Sequence, residues 1–214
     1  MLLASTQNLS MIEFYHAPQS RSSIVAQMIE ELDVGDRIRV HEVTISRPDG
    51  SGGPDPHNPN PEGKVPFLVH RGVGMTETNA ILLYLTDMFP EAGMGVPPGH
   101  PMRGAYLSWL AWYGNVLEPV VHFHFMQIES PALRRTYRDL ATALARIERQ
   151  LDLTPWLLGD RYSAADMLIS PIFHLFPALL PHEGPVLDWA NECFKRPAAR
   201  RQAALDQAAK PSRR

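Results

Sequence analysis

Three short stretches of this chain place chemically useful groups at the ends of regular elements. In Gly63-Lys64-Val65-Pro66 a proline directly precedes the apolar run Phe67 to Val69. Proline removes one backbone donor and holds the residue ahead of it extended, so Val65 is set to offer its own N–H and C=O sideways to a peptide-like ligand. Further on, Thr76-Glu77-Thr78 opens a helical pattern. A helix N-terminus presents unpaired N–H groups and the positive end of its dipole, which suits a carboxylate. Thr76 or Thr78 can cap that helix, and Glu77 can hold an ammonium. A backbone edge, an anion socket and a cation contact in one neighbourhood match a small zwitterionic peptide. In the third stretch, Ser20-Arg21-Ser22-Ser23, hydroxyls stand at the start of another helix.

The elements that must position these groups follow in order along the chain. Met11 to Tyr15 has the residue types of a short strand, and His16-Ala17-Pro18-Gln19 turns. Ile24, Val25, Met28, Ile29 and Leu32 recur at helical spacing, with Gly35 as the expected stop. Ile38, Val40 and Val43 mark a second strand within 37–43. Two short strands flank Gly72, and the helix opened by Thr76-Glu77-Thr78 ends near Phe89-Pro90. The order is βαβ-ββα, a thioredoxin-like arrangement. Between its halves, 47–63 carries five prolines and four glycines in 17 residues, which no regular helix tolerates. That composition predicts a mobile surface loop, either a lid over the ligand or a passive linker.

After the Gly- and Pro-rich stretch 90–101, everything is helical in pattern. Met102, Tyr106, Trp109, Tyr113, Val116 and Val120 form one stripe, with a kink expected at Pro119. Leu133, Tyr137, Leu140, Leu144, Ile147 and Leu151 predict a second, continuous helix. Ser163 with Asp166 is a capping box variant opening a helix that is apolar on nearly all sides, the mark of a buried central element. Helices at about 186–194 and 197–209 close the chain. The fold class is therefore α/β plus all-α. An extension (1–10) precedes a thioredoxin-like domain (11–89), followed by a linker (90–101), an all-helical domain (102–209) and a basic tail (210–214).

Composition narrows the function. The 214 residues carry a net charge of −3, which argues against a dedicated nucleic-acid binder. A single cysteine, Cys193, excludes a disulfide framework and a CxxC redox pair, and it fits a reducing cytoplasm. No apolar run approaches the roughly 20 residues that span a bilayer, so no membrane partner is expected. Met1 to Ser10 lacks the basic start and apolar core of a signal peptide.

Two groups of residues carry a family resemblance. Gly63-Lys64-Val65-Pro66, the hairpin after it and Glu77-Thr78-x-Ala80-Ile81-x-x-Tyr84-Leu85 resemble the glutathione-binding half of the soluble glutathione transferases. Leu157 to Asp166, with Gly159, Ser163, Ala165 and Asp166 at their spacing, resembles the family's helical domain, where Ser163 and Asp166 serve folding. The resemblance covers 11–209 and leaves the class open. It implies glutathione as co-substrate, a cis-proline at Pro66, backbone pairing of the cysteinyl part by Val65, and Glu77 and Thr78 on the γ-glutamyl group. Lys64 is then placed for the glycyl carboxylate, with His57 or Asn58 as weaker candidates. It also implies a homodimer.

Glutathione's thiol is mostly protonated at neutral pH, with a free-cysteine pKa of about 8.5, so rate is gained by stabilising the thiolate with a hydroxyl and a helix N-terminus. In the family that donor lies in the loop or first turn after the first strand. Ser20 is the first choice here, then Ser22, with Arg21 supplying positive potential and Tyr15 as the tyrosine-type alternative. With no cysteine in this region, the chain reads as serine-type. A hydrophobic electrophile would lie between the domains against Tyr106, Trp109, Trp112, Tyr113 and Phe123, because aromatic walls suit flat substrates. His122 and His124 point about 200° apart on a helix and cannot share a metal, so no metal is expected. The resulting function is conjugation of glutathione to a hydrophobic electrophile. The alternatives are a glutathione-dependent isomerase and a non-catalytic binding protein of the same fold.

Overall fold

The computed structural model describes residues 11–209, so the extension 1–10 and the tail 210–214 lie outside the described residues. The chain divides into two compact units. The first takes in residues up to Leu85 together with those from Pro197 onward, and the second spans Thr86–Arg196.

In the first unit, β1 (Ile12–His16), α1 (Ser22–Glu31) and β2 (Ile38–Glu42) precede β3 (Phe67–His70), β4 (Val73–Met75) and α2 (Thr78–Met88), which runs on into the second unit. The sheet order is β2-β1-β3-β4, with β1 parallel to β2 and the other two pairings antiparallel. This is a thioredoxin-like mixed sheet with helices. Parallel strands need a crossover between them, and α1 supplies it. Ile12, Phe14, Val25, Met28, Leu68, Ile81, Leu82 and Leu85 form the buried core. The expected helix stop at Gly35 falls earlier. Asp33 takes the left-handed conformation at φ 55°, and the Val34 N–H reaches back to the Ile29 carbonyl at 3.2 Å. That is a Schellman ending with aspartate, one of the few residues that tolerate the conformation, where glycine is usual.

The segment 47–63 has neither helix nor strand, yet it is tied down. The Arg47 guanidinium donates to the carbonyls of Pro18 (2.7 Å) and Gln19 (3.1 Å). The Thr44 N–H donates to the Asp55 carboxylate at 2.9 Å, and the side-chain amides of Asn58 and Asn60 donate to the Lys64 carbonyl at 3.3 and 2.8 Å.

In the second unit, α3 (Arg103–Trp112) continues through a π-helical turn (Tyr113–Leu117) into α4 (Glu118–Phe125). Pro119 follows directly on the π-helical turn, whose wider spacing accommodates a residue without an N–H in a continuous helix, so the irregularity expected at Pro119 takes the form of that turn. The helix expected over 133–151 is two: α5 (Pro131–Tyr137) and α6 (Leu140–Leu151). Arg138 sits at φ 67°, and Asp139 caps α6 by accepting from the Thr142 N–H at 2.8 Å. The periodicity carries across this break because Asp139 takes only the cap position. Then come α7 (Ala164–Ile169), wholly buried, α8 (Pro171–Leu175) and α9 (Pro185–Lys195). The last helix, α10 (Pro197–Ala208), packs on α1 in the first unit instead of completing the helical one. No described helix is long and apolar enough to cross a membrane.

Candidate functional site

The register of the sheet brings the candidate residues to one edge. β1 ends at His16, β3 begins at Phe67 and β4 ends at Met75, with Tyr15 opposite Phe67 and Leu68 opposite Met75. The segments 17–22, 64–66 and 76–78 therefore leave the sheet together.

The Val65–Pro66 peptide bond is cis, and Val65 is half-buried. With the Lys64 carbonyl taken by Asn58 and Asn60, the backbone N–H and C=O of Val65 make no hydrogen bond among the described residues. Glu77 stands at the cap position of α2, its carbonyl accepting from the Ile81 N–H at 3.0 Å. Its φ of 67° is uncommon for a residue with a side chain, and such conformations gather at ligand clamps. The Glu77 carboxylate is exposed and has no hydrogen bond or ion pair among the described residues, while Thr78 beside it is buried. Lys64 is exposed and paired with Glu62 at 2.8 Å. Its ammonium pKa is raised, first by that hydrogen bond and charge, then by Glu77, with Arg21 opposing. Lys64, Glu77 and Arg21 thus lie within electrostatic reach of one another at the mouth.

The serines form a tight hydroxyl cluster. The Ser20 Oγ lies 2.7 Å from the Ala17 carbonyl and 2.7 Å from the Ser22 Oγ, and accepts from the Ser22 N–H at 3.1 Å. Ser20 is half-exposed and Ser22 fully buried. Ser20 is not the helix cap: that position belongs to Arg21, whose side chain makes no capping bond. The Ser22 Oγ accepts from the Ala17 N–H at 3.1 Å and meets the Nδ1 of His16 at 2.7 Å. Burial holds the His16 imidazole below its usual pKa, against the pull of Asp206, Glu42 and the Ser22 bond. Sequence reasoning assigned His16 only to a turn; the available signal was a titratable ring at the end of β1, six residues ahead of Ser22. The loop is also fastened from α10, where Asp206 accepts from the Gln19 N–H (2.8 Å) and the Ser23 hydroxyl (2.9 Å).

Tyr15 lies one residue from His16 on β1 and so faces the other side of the sheet, stacked on His41 at 4.8 Å. Burial, then the charge of Glu13, raises its phenol pKa. His57 is exposed and paired with Asp55, and Asn58 is used in holding Lys64.

The aromatic residues expected to face an electrophile separate in the second unit. Tyr106 is fully buried, its hydroxyl 2.7 Å from that of Thr86, and burial pushes its pKa up to about 12. Trp109 and Trp112 are buried and share the Arg146 guanidinium, 4.5 and 4.6 Å from their rings. Tyr113 and Phe123 are half-exposed. A cavity of about 180 Å³ opens among Pro18, Glu42, Arg47 and Ala209 in the first unit, and none of the candidate residues lines it. Among the described residues no cluster of three or more His, Cys, Asp or Glu is placed to hold a metal ion.

The family model described as the glutathione S-transferase N-terminal domain matches residues 14–93. The disulfide-bond oxidoreductase YfcG of Escherichia coli is 27% identical over 210 residues, 88% of this chain and 92% of that protein. A glutathione transferase structure from Methylococcus capsulatus is 27% identical with a TM-score of 0.72, covering 92% of this chain and all 100% of that one. A sphingomonad glutathione S-transferase solved with glutathione superposes with a TM-score of 0.71 over 92% of this chain and 100% of that one; at 23% identity it speaks for the fold alone. Residues 14–93 thus carry the glutathione S-transferase N-terminal domain, and over most of its length the chain is similar to members of the cytosolic glutathione transferase superfamily.

Proposed function

We propose that this protein binds glutathione and directs its thiolate at a carbon of a hydrophobic electrophile. The observation that carries the reading is the backbone of Val65 together with the carboxylate of Glu77, neither of which is paired among the described residues. An unsatisfied peptide edge costs about 1–3 kcal/mol where water is excluded, so a ligand that pairs with it is favoured. The cysteinyl backbone of glutathione supplies the complementary donor and acceptor. Its γ-glutamyl ammonium meets Glu77, and its α-carboxylate meets Thr78 at the opening of α2. The glycyl carboxylate draws Lys64 from Glu62, a weak exposed pair. Ser20 faces the sulfur, and of the five aromatic residues first considered, Tyr113 and Phe123 have surface left for an electrophile.

One observation favours a second reading, thiol–disulfide exchange: the full-length similarity to a protein named as a disulfide-bond oxidoreductase. Cys193 is buried and its thiol pushed far up by that burial, so it is no nucleophile. Both reacting sulfurs would then come from glutathione and its disulfide partner, and the same thiolate site would serve.

Calorimetry with glutathione tests binding, and no saturation at millimolar ligand defeats both readings. Turnover of an aromatic halide by the glutathione-loaded protein supports conjugation. Reduction of a small disulfide without halide turnover supports exchange. Binding without either activity makes the protein a carrier.

A further inference from the structure

The hydroxyls of Ser20 and Ser22 lie against two outlets, the Ala17 carbonyl, at 2.7 and 3.1 Å, and the His16 ring beyond Ser22. From the half-exposed Ser20 Oγ the path runs 2.7 Å to the Ser22 Oγ and 2.7 Å to the His16 Nδ1. A hydroxyl has one proton and two lone pairs, so each serine gives its proton either along the chain or to the Ala17 carbonyl, and the state of the ring biases that choice. When His16 is neutral with Nδ1 bare, Ser22 can turn its proton from the Ala17 carbonyl, 3.1 Å away, to the ring, and Ser20 donates to Ser22 once it releases the same carbonyl at 2.7 Å. The Ser22 N–H fills one lone pair of Ser20, leaving the other for an incoming S–H. When Nδ1 carries a proton, His16 donates to Ser22, Ser22 donates to Ser20, and Ser20 has a proton to give to a sulfur anion.

We propose that His16 is the terminal proton acceptor of a relay that ionises the glutathione thiol through Ser20 and Ser22, and that its protonation turns the hydroxyl chain to face the thiolate. The inference rests on the glutathione reading above. The S–H bond breaks and its proton passes to the Ser20 Oγ. The Ser20 proton passes to the Ser22 Oγ, and the Ser22 proton to the His16 Nδ1. Both hydroxyls are restored, and the products are thiolate and imidazolium, with no electron transferred. The charged groups acting on the ring are Asp206 of α10 and Glu42 of β2, and both stabilise the imidazolium once formed. Burial keeps the ring neutral until then, which leaves Nδ1 open as acceptor. His16 does not touch the ligand. It is a positioning residue for Ser20 whose ionisation is coupled to that of the sulfur.

Two titrations test this. The first follows the ultraviolet absorbance of the thiolate against pH on glutathione-saturated parent, Ser20→Ala and His16→Asn. The second follows the His16 ring by NMR in the parent saturated with glutathione or with S-methylglutathione, which has no proton to give. The relay predicts that His16→Asn raises the bound thiol's pKa by about one unit or more, while S-methylglutathione binds within about twofold of the parent. It also predicts that His16 titrates about one unit higher beside glutathione than beside the S-methyl analogue. An unchanged thiol titration in folded His16→Asn overturns the relay, as does a His16 ring indifferent to the ligand's sulfur. If His16→Asn does not fold, the ring titration of the parent decides alone. Where Ser20→Ala still raises the thiol pKa, the glutathione reading survives the loss of the relay. A parent that binds neither ligand overturns both.

Discussion

Among the helices of this chain that open on serine, α7 and α1 use it in opposite ways. At α7, Ser163 accepts from the Ala165 N–H and donates to Asp166 at 2.8 Å. Asp166 collects three further donors at 2.9 Å: the N–H groups of Leu157 and Ser163 and the Trp189 indole. Burial pushes its carboxyl pKa up and those donors pull it back. Both residues are buried and their hydrogen-bonding capacity is filled from within, so the cluster locks a fold. At α1, the Arg21 cap position has no side-chain capping bond and the Ser20 hydroxyl keeps a lone pair at the surface. The Glu77 carboxylate and the Val65 edge are also unfilled among the described residues. The difference separates a folding site from a ligand site better than residue type does. A helix opening whose polar groups are all satisfied has nothing to offer a ligand, whereas one with unmet capacity is waiting for it.

The sharpest way to break this contrast is to open the closed cluster. Asp166→Ala leaves the Leu157 and Ser163 N–H groups and the Trp189 indole without an acceptor in the core. It should destabilise by roughly 3–5 kcal/mol in urea or thermal unfolding. A loss under about 1 kcal/mol would mean the second unit relaxes around the gap, and satisfaction would no longer mark a structural role.

At the open cluster the expectation reverses. Ser20→Ala should cost less stability than Ser22→Ala and lower kcat/KM roughly 10- to 100-fold, the value of one hydrogen bond to a charged sulfur. Ser22→Ala removes a buried hub and should cost both stability, about 1–2 kcal/mol, and activity. Equal stability losses in the two variants would put Ser20 on the structural side of the contrast. Next in size is Glu77→Gln, which keeps shape and removes charge. It should raise KM for glutathione about tenfold with kcat held, because the γ-glutamyl ammonium is bound equally in ground and transition states. A matching loss in kcat would place Glu77 on the reacting centre.

Most of the fold was legible because its signals are local. The βαβ-ββα order follows from strand residue types and turn chemistry, and the α7 capping box from Ser163 and Asp166 alone. What escaped depended on distant partners. Nothing local to Pro197–Ala208 says that α10 belongs with α1; Asp206 reaching Gln19 and Ser23 says it, from more than 180 residues away in sequence. Tyr106, Trp109 and Trp112 share a stripe with Tyr113, but helical periodicity cannot tell an aromatic face turned to a ligand from one turned to the core. His16 was missed for a related reason. Its role comes from the loop folding back so that Ser22 meets the ring, and a turn's closure is not written in its residue types. The break at Arg138-Asp139 escaped because an aspartate cap and a surface aspartate look alike until the backbone is seen.

The smallest effect expected concerns Lys64, the most exposed member of the mouth and already engaged by Glu62. Its raised pKa keeps it charged through neutral pH, so its contribution to glutathione binding should not titrate between pH 6 and 8. An exposed charge acts through a screened field, and the Debye length shrinks from about 10 Å at 0.1 M salt to about 3 Å at 1 M. Lys64→Ala should therefore weaken glutathione binding by no more than about threefold at low salt, and the difference from the parent should vanish in 1 M salt. Calorimetry at the two salt concentrations reads this directly. A loss that persists at high salt would mean that the ligand draws Lys64 out of water into a close contact. The mouth would then rearrange on binding, and the unpaired groups of the free protein would be only part of the recognition surface.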